Sequence, residues 1–235
     1  MIMPPGEILN DARAALKSGN YPLALENYQR FFDRALLDQG DGHNYYGVRL
    51  SYCLAEWFHL GENYPPARER LEAKAIEALA DFEATGDCEK FHDFQSIRER
   101  LGQEDLVLSQ FVQYHQSKSD LANSALRFMW NRLVEAKRWD ICSTYLTDFE
   151  SKYEQALSKF DQAMKICQAD PSLGGDKFAE QIRGWYVRDV GNLLAALKHS
   201  AQQDGAAWLV SSVASDMQSR GFSELVSHVV ERAVL

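Results

Sequence analysis

Six prolines and fourteen glycines are all that punctuate a chain of 235 residues. So few breakers exclude a fold of many short strands and tight turns, and they favour long helices. Cysteine is scarce too. Cys53, Cys88, Cys142 and Cys167 stand far apart with no CxxC pair, which excludes a disulfide framework and reads as small core residues of a reducing compartment. No run approaches the ~18 apolar residues of a membrane span. The opening residues, MIMPPGEILNDARAAL, lack the basic segment and apolar stretch of a secretory leader. Positive charge is also in deficit, 25 Lys and Arg against 34 Asp and Glu, with a net charge of -9 and a pI near 5.2. Phosphate backbones are bound by clustered Lys and Arg, so nucleic acid is not the expected partner. The expectation is a soluble, cytoplasmic protein with no membrane or nucleic-acid partner.

Hydrophobic residues, by contrast, make up 46% of the chain, enough to bury a core without metal or disulfide staples. They recur at helical spacing almost throughout. Ile8, Leu9, Ala12, Ala15 and Leu16 form one stripe, and Gly19-Asn20 ends that helix. Pro22 suits the first turn of a second helix that carries Leu23, Ala24, Tyr28, Phe31, Phe32, Ala35 and Leu36 toward the core. The loop Gln39-Gly40-Asp41-Gly42 precedes a third helix, about His43 to Leu60, and Gly61 to Pro66 form a second short turn. A fourth helix runs from Pro66 to about Ala84 and ends at Gly86. Asp87 is the expected N-cap of a fifth reaching Leu101-Gly102, and a sixth spans Glu104 to Gln116. Ser117 and Asp120 have capping-box-like spacing before a seventh.

From Leu121 to Cys167 there is neither glycine nor proline. A turn is expected at Arg138-Trp139, and the segment from Asp140 to Cys167 reads as one helix of roughly 40 Å. The strongest break is Asp170-Pro171-Ser172-Leu173-Gly174-Gly175. It separates an array over residues 1–169 from a three-helix segment over 176–235, with helices at about 176–202, 206–219 and 222–234. It reads equally as a domain boundary and as a long turn between hairpins.

The segment GNYPLALENYQRFF, Gly19 to Phe32, carries Gly, an aromatic, Ala, then an aromatic one turn later: Gly19, Tyr21, Ala24 and Tyr28. A small residue at Ala24 lets two helices approach, and the tyrosines fill the space around the contact. Ala12, with Ile8 one turn before it, supplies the small residue of the first helix. Further units fit with Ala55, Tyr64, Ala67 and Leu71; with Leu126, Leu133, Trp139, Cys142 and Leu146; and with Val210, Ala214, Gly221, Val226 and Val230. In the third, Trp130 sits where a small residue belongs. This pattern resembles the tetratricopeptide repeat, although the anchors at 24, 67, 142 and 226 are spaced more widely than its ~34 residues. The resemblance implies an all-α fold, a right-handed solenoid of antiparallel helix hairpins with about ten or eleven helices.

No HExxH, GxSxG, Walker loop or GxGxxG is present, so common hydrolase and nucleotide sites have no local support and no cofactor is implied. Cys88 and His92, one helical turn apart, offer only two of the four ligands that a structural zinc site wants, so no metal is expected. The crowded aromatics Tyr45, Tyr46, Tyr52, Trp57 and Phe58 divide by spacing. Trp57 and Phe58 are expected in the hairpin core, whereas Tyr45 and Tyr52 fit either core or groove.

In tetratricopeptide proteins the first helix of each pair lines the concave face. That resemblance implies a partner-binding strip of Arg13, Lys17, Arg49, Tyr52, Glu56, His59, Arg127 and Asn131, with Leu9 beside it. Arg, Lys and Asn suit acidic peptides or terminal carboxylates. The strip resembles the carboxylate clamp of chaperone-binding members only loosely, because Leu9 and Tyr52 stand where polar residues belong. The leading expectation is a protein-interaction module that binds a peptide or partner helix. One alternative is a structural subunit that self-associates as a homodimer through its apolar C-terminal helix, SELVSHVVERAVL. The other is an α-helical enzyme or small-ligand sensor.

Overall fold

The computed structural model describes residues 3–36, 45–170, 172, 175–200 and 202–234, and these are all-α, with no strand among them. None of the described helices is long and apolar enough to cross a membrane. The chain forms two compact units, Met1–Arg127 and Phe128–Leu235. The loop expected at residues 39–42 and the start of the third helix at His43 lie outside the described residues, as do Pro171, Leu173 and Gly174 of the expected break and the terminal Leu235. That break falls within the second unit.

In the first unit, α1 (Pro5–Lys17) opens on proline, which needs no N–H there, and carries Glu7 in its first turn. Ile8, Leu9, Ala12 and Ala15 are buried on one face. Gly19 turns the chain in the left-handed region, φ 76°. Asn20 then caps α2 (Tyr21–Arg34) by accepting from the Leu23 amide at 3.3 Å. Ala12 and Ala24 are wholly buried where α1 packs on α2. The buried stripe of this helix is Ala24, Tyr28, Phe31, Phe32 and Ala35. Leu23 and Leu36, expected in the core, are instead 43% and 47% exposed. Each stands one residue off that stripe, which is about 100° of rotation.

The next helical run begins as α3 (Tyr46–Val48), widens into a π turn over Arg49–Cys53, and continues as α4 (Leu54–Asn63). Tyr64 alone joins it to α5 (Pro65–Thr85), serving as C-cap of one helix and N-cap of the next. The turn is thus tighter than the six residues expected. Gly61 lies under it, and a Cβ there would meet the Arg68 backbone at 3.2–3.3 Å. The buried Trp57 indole donates to the Ala67 carbonyl at 2.8 Å and fastens α4 to α5. Phe58, expected beside it in the core, is half-buried, with the Arg68 guanidinium 5.8 Å above its ring.

Buried Ala67, Leu71, Ala75, Ala78 and Phe82 mark the inner face of α5, and Gly86 closes it at φ 70°. Asp87 caps α6 (Cys88–Arg100), accepting from the Glu89 amide at 3.0 Å. Phe82 meets Phe91 at 5.1 Å and Tyr114 at 5.7 Å, joining α5 to α6 and to α7 (Glu104–Ser117). Ser117 ends α7 and donates to the Gln113 carbonyl, so its hydroxyl bonds back into the preceding helix instead of opening a capping box for α8 (Ser119–Glu135).

In the second unit the turn before Trp139 is where it was expected, with Lys137 at φ 54°. The single helix expected over 140–167 is broken into α9 (Trp139–Cys142), a 3-10 turn at Ser143–Tyr145, and α10 (Phe149–Ala169). The Ser143 and Thr144 hydroxyls donate to the carbonyls of Asp140 and Ile141, and so compete with the helical ladder at that point. The remaining helices are α11 (Gly175–His199), α12 (Gln203–Ser219) and α13 (Leu225–Arg232). From Val190 to Leu197 every residue of α11 is buried, because α10, α12 and α13 all pack against it. Leu225, Val229 and Ala233 turn inward from the C-terminal helix, while Val234 is 77% exposed.

Candidate functional site

The i, i+4 spacing on α1 places Arg13 and Lys17 on one exposed face. Glu56 and His59 share a face of α4 by helical spacing, and Tyr52 precedes them in the π turn. One contact joins α1 to α4: Arg13 Nη2 donates to Glu56 Oε1 at 2.7 Å, and its Nε reaches both carboxylate oxygens at 3.0–3.1 Å. The buried Tyr28 also donates to Glu56 Oε2, at 3.2 Å, so α2 braces the pair from behind. Burial and the adjacent carboxylate both push the Tyr28 phenol above its ordinary range, and the hydrogen bond to Glu56 raises Arg13 further. Beside this fork Tyr52 is 64% exposed. His59 is exposed as well, 3.3 Å from Glu62.

Arg49 leaves the exposed strip, and Arg127 and Asn131 hold partners within the chain. Arg49 is 1% exposed and forms an ion pair with buried Asp93 of α6. Its guanidinium lies 4.3 Å from the centre of the Phe32 ring. The π turn explains the departure. It holds one residue more than an α turn, so α spacing, which would put Arg49 beside Tyr52, does not apply across it. Arg127 pairs with Glu89 of α6. Asn131 belongs to the second unit, where its Nδ2 donates to Asp189 at 3.4 Å and its Oδ1 accepts from buried Asn192 at 2.9 Å. Leu9 is buried. The expected basic strip is therefore mostly neutralised within the chain, with Arg13, Arg49 and Arg127 each holding a carboxylate.

A second constellation surrounds the π turn, and spacing alone did not reveal it. Tyr46 donates to Glu89 Oε2 at 2.6 Å, and His92 Nδ1 lies 2.5 Å from the same phenol oxygen. The phenol has one proton and gives it to the carboxylate, so the geometry fits His92 donating from Nδ1. Glu89 also accepts from Arg127. The result is a connected chain from α8 through α6 to α3, next to the buried Arg49–Asp93 pair. The available signal was Glu89, His92 and Asp93 at one-turn spacing on α6.

No family model, no curated protein and no solved structure matches the chain. Among the described residues no group of three or more His, Cys, Asp or Glu is arranged to hold a metal ion. Of the free cysteines, Cys53 is buried with its thiol pushed up by burial, and Cys142 is raised to about 12 by the same cause. Neither environment produces a thiolate nucleophile.

Burial lowers the His92 pKa below 6.5, and this outweighs the nearby carboxylates Glu89 and Asp93. An imidazole depressed in the folded state is neutral there at a pH where the unfolded chain already binds a proton. Its contribution to stability is complete above about 6.5 and is lost as pH falls through the folded value. Urea midpoints are expected to drop between pH 7.5 and pH 5.5, and His92→Gln to flatten that difference. An unchanged pH dependence in the variant would remove this assignment.

Proposed function

We propose that the first unit is a protein-interaction module, an array of tetratricopeptide-like helix pairs forming a right-handed solenoid, whose α1/α4 face binds a peptide or partner helix. The observation that carries this reading is Tyr52. A tyrosine 64% exposed stands on a helix face held by the Arg13–Glu56–Tyr28 fork. Solvent-facing tyrosine on a fixed backbone contributes large contact area at low entropic cost, which is what interface anchors require. Lys17, exposed one turn beyond Arg13 on α1, supplies a cation for a carboxylate of the partner.

The test replaces Tyr52 with a photo-crosslinking phenylalanine and irradiates the full chain in lysate. One heterologous protein should be joined at that position, with its yield reduced at least about tenfold by Lys17→Glu, a rim-charge effect. Crosslinks only to the chain itself, or a yield indifferent to Lys17, would point away from this face.

A further inference from the structure

Between α10 and α11 lies an open slot that shares no residue with the α1/α4 face. Ala156, Ala163 and Ile182 line it and Trp185 forms one wall, around a cavity of about 180 Å³. Sites for cofactors and small molecules usually run to ~300–1,000 Å³, so this slot holds a single side chain. It exists because α10 presents alanines there. Positions 156, 159, 163 and 166 recur at helical spacing, and the stripe continues to Ile166, 54% exposed. Trp185 is 40% exposed and is held edge-on by Phe178, with ring centres 6.1 Å apart and planes at 82°. The aromatic wall is therefore in place before anything binds, which limits the ordering cost of association.

Three charged groups border the slot, and their balance indicates what it takes. Asp189 accepts from Arg188 Nε at 3.1 Å and from Asn131 Nδ2 at 3.4 Å, so its charge is answered within the chain. Lys159 stands between the two alanines and forms no ion pair among the described residues. The slot thus joins an apolar cleft to one unanswered cation, on a protein whose net charge is -9.

We propose that this slot docks an acidic peptide segment. The segment inserts one leucine or aromatic side chain against Ala156, Ala163 and Trp185 and sets a neighbouring carboxylate on the Lys159 ammonium. The proposal uses no residue of the α1/α4 face and stands or falls separately from it. The cation sets specificity and salt dependence, whereas the apolar anchor sets most of the affinity.

A phage-displayed library of random dodecamers panned on the full chain, with counter-selection on Ala163→Leu, tests this. The expected result is one group of sequences with a Leu, Phe or Trp flanked by Asp or Glu. These peptides should bind the wild type at least tenfold more tightly than the filled variant. Lys159→Glu should weaken them about tenfold and abolish the acidic preference. Urea unfolding verifies that each variant is folded, and Ala156→Leu replaces Ala163→Leu should the latter be unstable. No discriminating sequences, discriminating sequences without acidic residues, or self-association of the chain lost on filling the slot would each overturn the proposal.

Discussion

Replacing Asp93 with alanine is expected to destabilise the first unit by about 3–5 kcal/mol, the usual cost of stranding one member of a buried ion pair. Arg49 is 1% exposed, and Asp93 is its only charge partner among the described residues. Its Nε has no hydrogen-bond acceptor there either. The Phe32 face, 4.3 Å away, softens the loss without replacing a carboxylate. The double variant Arg49→Met, Asp93→Leu removes both charges and keeps volume, so it should recover most of the loss or exceed the wild type. Urea titrations of the three proteins decide the matter. A single variant within about 1 kcal/mol of wild type, the scale of an exposed pair, would mean that the pair is hydrated.

Gly191→Val is expected to cost about 2–3 kcal/mol and to loosen the C-terminal helix from α11, as overpacking does in a filled core. A Cβ at Gly191 would lie 2.6 and 2.7 Å from Arg232 Cγ and Cβ, and 3.2 Å from the Val229 carbonyl. These atoms sit at or beside the backbone of α13, so the helix itself has to move. The same contact positions Arg232 Nε 3.2 Å from Asn192 Oδ1, and that hydrogen bond would be lost with it. Gly184, also on α11, is the control, since nothing lies within 4 Å of its Cβ position. Gly184→Ala should stabilise by about 0.5–1 kcal/mol through helix propensity alone. Equal effects at the two glycines, read from urea midpoints, would contradict the close approach.

Much of the helical layout was legible because its punctuation is local. Gly19, Gly86 and Asp87 end or begin helices through their own backbone conformation or side chain, whatever packs around them. The break after Cys142 was not legible, since it depends on hydroxyls that are compatible with a helix and here bond to nearby carbonyls instead. Of the strip that the tetratricopeptide resemblance implied, Arg13 and Glu56 meet through hydrogen bonds. Arg49 does not join them, because a π turn has no residue signature and spacing arguments assume it away. The partners of Arg127 and Asn131 lie 38 and 58 residues along the chain, a distance no periodicity bridges.

The π turn also makes chain length, and not only composition, part of the design. Substitutions at Leu50 or Ser51 leave the count of residues between Arg49 and Tyr52 intact. Deleting either would remove the one residue by which this turn exceeds an α turn, so ordinary α spacing could close over the gap with the flanking segments left close to their present phase. A deletion inside α5 has no such slack, and every residue on one side of it would turn by about 100° about the axis. A single lost codon in the π turn should therefore be better tolerated than one in the regular helix that follows.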